Sequence, residues 1–340
     1  MRIALVGFGN VGRTFAERLL GPYGRALRRT GAAPVVSGIA TLHHGMAFDP
    51  SGLPLRACLA AVRRGGNLSA FHKGRPMGSA REFIARVPAD VLLELTPLDP
   101  RAGEPATTHV REGLQRGLHV ITANKGPVAL AGRRLVRLAA RKGVSFRHEG
   151  AVMDGVPVFN LVERCLRGTR VKAFRGTLNS TTSHVLSRMG EGASLSRAVA
   201  EAQRLGIAEA DPSNDLLGWD SAFKGCALAQ ALMGAVVHPS TVRRRGILGL
   251  SPERVRKDAR KGVRWRLVVR GRRVGGRVRV SVGPEPIPPG DALGGSGADA
   301  ALFLETDLVG EIGVVEKGGT IDQTAYALLS DLMAVAGEVA

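Results

Sequence analysis

Short apolar runs recur between helix-length segments along the first 150 residues. The run Ile3–Val6 leads directly into Gly7, Gly9 and Gly12 and then an amphipathic stretch through Leu20, which predicts a strand, a tight turn and a helix. Val91–Leu95, His119–Thr122 and Val144–Arg147 each read as a further parallel strand. The alternation predicts an α/β fold, with an N-terminal Rossmann-type doubly wound parallel sheet over residues 1–150. Past Val152 the pattern changes to mixed strands and helices, a second, α+β domain over 151–315. Its strand candidates are Val171–Leu178, Val263–Val269 and Arg277–Val282, the last two joined by the turn-rich RGRRVGG. Residues 316–340 read as a loop and helix returning to the first domain, with Thr320 and Gln323 set for a capping box.

The glycine turn is a candidate dinucleotide site. Gly7 permits the turn, Gly9 lets backbone approach a pyrophosphate, and Gly12 lets helix pack on strand; Phe8, Asn10 and Val11 complete the loop. At the end of the second strand, VVSGIATLHHG offers Thr41, His43 and His44 but no carboxylate for a ribose 2′-hydroxyl. Arg56, Arg63, Arg64 and Lys73 follow, so NADP is expected in preference to NAD; the competing reading makes these residues part of a generally basic surface. Ligands bind beyond the carboxyl ends of such strands, where Thr96, Pro97, Asn124 and Lys125 fall.

A second cluster lies in AEADPSNDLLGWDSAFKGCALA, residues 208–229, which carries Glu209, Asp215, Asp220 and Lys224. On a helix, Asp220 and Lys224 share a face, and a lysine beside carboxylates against an apolar wall suits proton transfer. An ordinary i,i+4 ion pair on a solvated face accounts for the same spacing.

This segment, with AQRLG at 202–206, resembles the signature of homoserine dehydrogenases. GTLNSTTSHVL (176–186), ITANKGPVAL (121–130), VLLELTPLDPRAGEPA (91–106) and EGAVMDGVPVFN (149–160) resemble further blocks of that family, in its order. The resemblance implies reversible oxidation of L-homoserine to L-aspartate 4-semialdehyde, with hydride transfer to NADP or NAD, in threonine and methionine biosynthesis. By position, Lys125 and Lys224 match the family's two active-site lysines: Lys224 is expected at the reacting oxygen, Lys125 as sharing or relaying the proton, and Asp220 as orienting a lysine or binding the hydroxyl. Glu209 and Asp215 are expected to take the substrate ammonium. Thr181, with backbone around Ser180 and Ile207, matches the family's substrate contacts, although turn chemistry explains Thr181 and Thr182 equally well. Glu149, Val152, Asp154 and Val156 align with a loop whose backbone carbonyls bind Na+ or K+. The family relation also implies a cytoplasmic homodimer assembled through the sheet of the second, substrate-binding domain.

The chain departs from the family at EKGGTI, 316–321, where relatives carry a glycine-rich GPGAGG loop near the cofactor; Gly318 and Gly319 remain. Ser183 and His184 replace common Asn and Tyr, and a lone histidine of this kind reads as structural. A relative acting on another amino-acid alcohol or aldehyde is the enzymatic alternative. A basic binding protein on a dehydrogenase scaffold is the other, and the joint presence of Lys125, Glu209, Asp215, Asp220 and Lys224 argues against it.

Composition adds three points. The formal charge is +19, concentrated in residues 243–279, which raises nucleic-acid binding. Aromatic residues are only 4% of the chain and do not interleave with the basic ones, so a basic surface is expected instead. Cys58, Cys165 and Cys226 form no metal pattern and are expected to be buried thiols in a reducing compartment. The apolar N-terminus is a strand broken by glycines rather than a leader or membrane span, and the length leaves no expected room for a regulatory domain.

Overall fold

A computed structural model describes residues 1–100 and 102–339. The chain divides into two units, one of Met1–Pro157 with the segment from Thr320 onward, the other of Val158–Gly319. The divisions fall seven residues after and four residues after the positions read from sequence (157 against 150, 319 against 315). The causes are local. Glu149 N–H donates to Asp331 of the C-terminal helix at 2.9 Å, and Thr324 of that helix donates to Asp154 at 2.9 Å, so the segment past 150 stays with the first unit. Glu316 ends a strand paired with Ala300, which keeps it in the second.

The first unit is a six-stranded sheet of β1 (Arg2–Val6), β2 (Val35–Ala40), β3 (Met46–Phe48), β4 (Val91–Glu94), β5 (His119–Thr122) and β6 (Phe146–Arg147), in the order β3-β2-β1-β4-β5-β6. All pairs are parallel except the edge pair β2–β3. Its helices are α1 (Asn10–Leu19), α2 (Pro22–Arg29), α3 (Leu55–Arg63), α4 (Ala80–Arg86), α5 (Ala106–Arg116) and α6 (Lys125–Lys142), joined by the C-terminal helix Ile321–Val339. Alternate residues of β1 feed two cores. Ile3 and Leu5 pack with Phe15, Leu27, Leu328 and Leu332, whereas Ala4 and Val6 pack with Phe83, Val110, Leu114 and Leu135. Both faces being covered explains why these strands read as continuous apolar runs. The capping box of the last helix forms as expected: Thr320 N–H donates to Gln323 Oε1 at 2.7 Å, and Gln323 N–H to Thr320 Oγ1 at 3.3 Å.

The second unit holds β7 (Val171–Thr177), β8 (Arg243–Arg244), β9 (Arg264–Val274), β10 (Arg277–Ile287), β11 (Ala300–Thr306) and β12 (Glu311–Glu316), in the order β12-β11-β7-β9-β10-β8. The pairs are antiparallel except β8–β10. With it go α7 (Val158–Asn160), α8 (Ser180–Gly190), α9 (Leu195–Arg204), α10 (Ser213–Leu216), α11 (Trp219–Met233) and α12 (Pro252–Ala259). Two strands are longer than the sequence suggested. β9 continues through Arg270–Val274, and only Gly275 and Gly276, at φ +55° and +77°, form the hairpin turn. β10 runs on to Ile287 through Pro284 and Pro286, because β8 flanks it only at Ser281 and Val282 and the prolines fall where the outer edge is open.

Cys58 and Cys226 are buried, and burial raises their thiols to about 11 and about 12 respectively. Cys165 is exposed, contrary to the sequence reading: it sits in an irregular turn of helix, Leu161–Cys165, that buries none of its residues. Among the described residues no helix is long and apolar enough to cross a membrane.

Gly271 is a tight spot in the second sheet, since a Cβ there would lie 2.2 Å from the ring of Phe174 on the neighbouring strand. Gly271→Ala is expected to cost about 1–3 kcal/mol through overpacking. Denaturant unfolding should show the loss, and Phe174→Leu added to Gly271→Ala should recover part of it; an unchanged midpoint for the single variant would show that the sheet yields there.

Candidate active site

In the first unit the glycine turn lies where β1 and β4 diverge. Gly7 has φ +98°, and a Cβ on it would stand 2.5 Å from the carbonyl oxygen of Leu95, just past β4. A Cβ on Gly12 would meet Gly7 O at 2.9 Å, but one on Gly9 would meet nothing within 4 Å. Gly9 is therefore the open glycine, the place a phosphate needs. It caps α1 without a side chain, and no acid occupies the helix's first turn. The amides and positive end of α1 are thus presented to an anion. Phe8 is buried beneath the loop, Val11 is half-buried, and Asn10 is exposed and accepts from Arg13 at 2.7 Å. These residues fit a dinucleotide.

Thr41 follows β2, but its hydroxyl serves its own turn: it donates to Gly45 O at 2.9 Å and accepts from His44 N–H at 2.7 Å. Of the four basic residues expected to favour a 2′-phosphate, Arg63 pairs with Glu17 at 2.5 Å and Lys73 with Asp49 at 2.7 Å. Arg56 and Arg64 are exposed.

A buried polar set organises the ends of β4 and β5. Glu94, fully buried, accepts from the Thr96 hydroxyl, from Thr96 N–H at 3.1 Å and from the Thr122 hydroxyl at 3.1 Å, with His109 Nδ1 at 3.5 Å. Asn124 Nδ2 donates to the carbonyls of Thr96 and Pro97 at 2.9 and 3.2 Å, while its Oδ1 caps α6. Lys125, half-buried, is the first residue of α6. Glu94 was not singled out as a site residue from the sequence. Its signal was a carboxylate closing the apolar run of VLLELT.

In the proposed cation loop, Asp154 has φ +36° and its carboxylate accepts from Thr324, so that side chain serves the loop itself. Glu149 and Val152 are buried, Val156 is half-buried, and Val156 N–H closes the turn on Met153 O at 2.8 Å. No cluster of three or more His, Cys, Asp or Glu suited to a metal occurs among the described residues.

The second unit brings Asp215, Asp220 and Lys224 together. α11 begins one residue before Asp220, so Asp220 and Lys224 lie one turn apart with Nζ to Oδ2 3.3 Å. Lys224 Nζ also donates to Leu178 O at 2.6 Å, at the end of β7. The two side chains are only 17% and 12% exposed, which removes the solvated-face reading of this pair. Asn179 links the set, because its Nδ2 donates to Asp215 at 2.7 Å and to Asp220 at 3.0 Å, and its Oδ1 accepts from Thr182 N–H at 2.8 Å. Asn179 is thus both the N-cap of α8 and a bridge between two carboxylates. Sequence reading noted the Asn and paired-Thr loop but did not place Asn179 in the site; an Asn ahead of STTSHVL was the available signal.

Thr181 is buried, and its hydroxyl donates to Ile207 O at 3.1 Å, which joins the α8 start to the loop after α9. Ser180 opens α8 and is half-buried. Thr182 answers to turn chemistry, its hydroxyl donating to Asn179 O at 3.1 Å. Glu209 is not gathered into the set: it is exposed, and its carboxylate meets no hydrogen-bond partner among the described residues. His184 is buried with Nε2 3.8 Å from Glu201, in keeping with a structural histidine. Lys317 is tied to Asp299 at 2.9 Å, while Gly318 is exposed in the turn after β12 at φ +63°.

A glycine turn left open for a pyrophosphate on a doubly wound sheet has the form of a dinucleotide-binding domain, and Lys224, held by a carboxylate and a carbonyl in the other unit, has the form of a proton donor. The family model described as homoserine dehydrogenase matches residues 157–333, and that of its NAD-binding domain matches residues 7–149. The homoserine dehydrogenase of Methanocaldococcus jannaschii is 36% identical, over 98% of each chain. The NAD(+)-dependent homoserine dehydrogenase of Pseudomonas canavaninivorans is 35% identical, over 98% of this chain and 95% of its own. Among solved structures, a putative homoserine dehydrogenase from Archaeoglobus fulgidus superposes with a TM-score of 0.87 at 31% identity, covering 98% of this chain and 99% of that one. The chain belongs to the homoserine dehydrogenase family, and its reaction is the NAD(P)-dependent interconversion of L-homoserine and L-aspartate 4-semialdehyde.

Replacing Asn179 with Ala would leave Asp215 and Asp220 as close carboxylates without their shared donor. A loss of about 1–3 kcal/mol in unfolding free energy is expected, with a raised KM for homoserine. Unfolding curves and steady-state kinetics of the variant beside the parent protein check both statements.

Proposed function

We propose that Lys224 moves the proton at the reacting oxygen of homoserine, with Asp220 as its positioning residue and Lys125 sharing or relaying the proton. The observation that carries this reading is the grip on Lys224 Nζ, 2.6 Å from Leu178 O and 3.3 Å from Asp220. A bound nicotinamide would supply the hydride acceptor or donor for the carbon that bears the reacting oxygen. In the reducing direction the Lys224 ammonium gives a proton to the oxygen as it gains charge; in the oxidising direction the neutral amine takes it back. Asp220 and Leu178 O fix the amine's position, so little reorganisation remains for the chemical step.

Asp215 is proposed as the main partner of the substrate ammonium, since it belongs to the same hydrogen-bonded set. Glu209, being exposed, is a secondary one. Thr181 acts by holding the Ile207 loop beside Ser180, its hydroxyl being committed to Ile207 O.

NADP is the proposed preferred cofactor, on the absence of a carboxylate at the end of β2 and the exposed Arg56 and Arg64. A hyperthermophilic archaeal homoserine dehydrogenase with a TM-score of 0.82, 27% identical over 98% of this chain and 97% of its own, has been solved in complex with NADPH. With the NAD(+)-dependent relative, it shows both cofactors within the family. A sodium or potassium ion on the carbonyls of the 149–156 loop completes the proposed ligand set. A cytoplasmic setting fits three cysteines that form no disulfide.

Reduction of NADP and NAD should be followed in parallel with L-homoserine, with and without potassium or sodium. Faster turnover at lower KM is expected with NADP, and a strong preference for NAD would overturn that choice. Lys224→Ala should lower kcat by roughly 10²–10⁴ with an unchanged circular dichroism spectrum. A fully active variant would remove Lys224 from the mechanism.

A homodimer through the second sheet is proposed because α11 packs on the face of that sheet that carries Val269 and Val280, which meet it at Gly225. The opposite face presents Arg175, Arg270, Arg272, Glu305 and Glu311 beside Phe303. Light scattering should give twice the chain mass, and an Arg272→Glu and Phe303→Asp double variant should shift it to the monomer. A monomeric parent protein would refute the assembly.

A further inference from the structure

Arg266, in the first half of β9, is 1% exposed and is the largest fully buried side chain of the described residues. Its Nη1 reaches Trp265 O at 3.2 Å and Ser183 O at 3.4 Å, but Nε and Nη2 meet no acceptor. A buried, unmatched guanidinium edge is expensive. The same edge is used elsewhere in the molecule. Arg18, Arg175 and Arg270 each turn Nε and Nη2 to the two oxygens of one carboxylate, on Asp322, Glu311 and Glu285 respectively. Arg266 presents that edge with no carboxylate of its own.

Arg266 lines a cavity of about 510 Å³ between α8, α12 and the start of β9. Arg260 and Arg264 also line it, as do Ser296 and Ser187, whose buried hydroxyl likewise has no partner. Two acids lie near and neither hydrogen-bonds Arg266, although Asp299 is close enough to favour its charge. Glu191, on the cavity wall, is paired with Arg188, and Asp299 accepts from Lys317 at 2.9 Å and from Ser296 at 3.0 Å. Burial, with repulsion from Arg264, pushes the Arg266 guanidinium down to about 10, still well above neutrality, so the group stays charged. Trp265, Leu186 and Val255 supply an apolar wall. β7 pairs with β9 only as far as Val269, so this part of β9 has β10 as its strand neighbour.

We propose that this cavity is a binding site for a small oxyanion: Nε and Nη2 of Arg266 and the Ser187 hydroxyl, enclosed and unpartnered in the structure, turn toward the cavity to seat a carboxylate or phosphate group. The bidentate geometry of the guanidinium fits both groups. The site is separate from the Lys224 set and does not depend on the roles proposed there.

Inorganic phosphate and malonate, titrated by calorimetry against the full chain at constant ionic strength in chloride, test the proposal. Saturable binding is expected for at least one of them, weakened by about tenfold or more in Arg266→Met, as loss of one charge-assisted pair implies. The dinucleotide site can also take phosphate, so the titration is run with saturating NADP. No saturable binding by the parent protein would overturn the proposal and leave the cavity to water; equal binding by Arg266→Met would place the anion elsewhere and overturn it too. Should Arg266→Met fail to fold, Ser187→Ala decides: affinity reduced several-fold supports the site, and unchanged affinity refutes it.

Discussion

The second unit depends on one amide. Asn179 Nδ2 sits between the carboxylates of Asp215 and Asp220, and Asn179 Oδ1 holds the first turn of α8. Without a donor between them, the half-buried Asp215 and the buried Asp220 would repel one another. With it, both keep their places, and Asp220 in turn holds Lys224. The backbone supplies the rest: β7 ends so that Leu178 O faces Nζ, and the αL residue Gly218 (φ +79°) starts α11 so that Asp220 and Lys224 lie on its inner side. Replacing any one of these groups leaves a buried charge without its counterpart, which is why the set acts as a unit.

The first unit solves a different problem with backbone rather than side chains. Gly7 carries no Cβ because Leu95 O occupies that space, and Gly12 none because Gly7 O does. Gly9 is open, so it is the ligand's glycine rather than the fold's. Glu94 is a fully buried acid with no lysine or arginine partner among the described residues. It is instead neutralised in effect by donors, accepting from Thr96 and Thr122, while Asn124 fastens the next two carbonyls. The result is a rigid shelf at the carboxyl ends of β4 and β5, where open α/β sheets bind their ligands.

Much of this was legible in the sequence. Strands buried on both faces announce themselves as apolar runs, and His119–Thr122 was read with the limits it has in the structure. The glycine turn and the Asp220–Lys224 spacing were legible because both depend on local geometry. What escaped depends on neighbours distant in sequence. Glu209 lies near Asp215 along the chain, yet only Asp215 meets Asn179, 36 residues away. β10 looked finished at Val282 because prolines follow it, and only the open edge beside β8 explains how the strand continues. Cys165 looked like a buried thiol by type, but its turn of irregular helix buries none of its residues.

The basic run of residues 243–279 shows the same limit of composition. On a strand, arginines two apart share a face and meet whatever the adjoining strand offers. Arg270 meets Glu285 on β10, and Arg272 meets Glu305 on β11. Arg244 stacks over Trp219 at 3.8 Å and also donates to Leu217 O, and Arg273 donates to Met233 O at 2.6 Å. Guanidiniums so occupied hold strand to strand and helix to sheet, and each has less of its hydrogen-bonding capacity left for a polyanion. Arg266 belongs to the same run and breaks its pattern. It is the member with a buried bidentate edge and no acceptor across from it. The basic run therefore divides: several of its guanidiniums tie strand to strand and helix to sheet, Arg266 stands on a cavity wall, and Arg243, Arg245, Lys257, Lys261, Arg277 and Arg279 lie exposed.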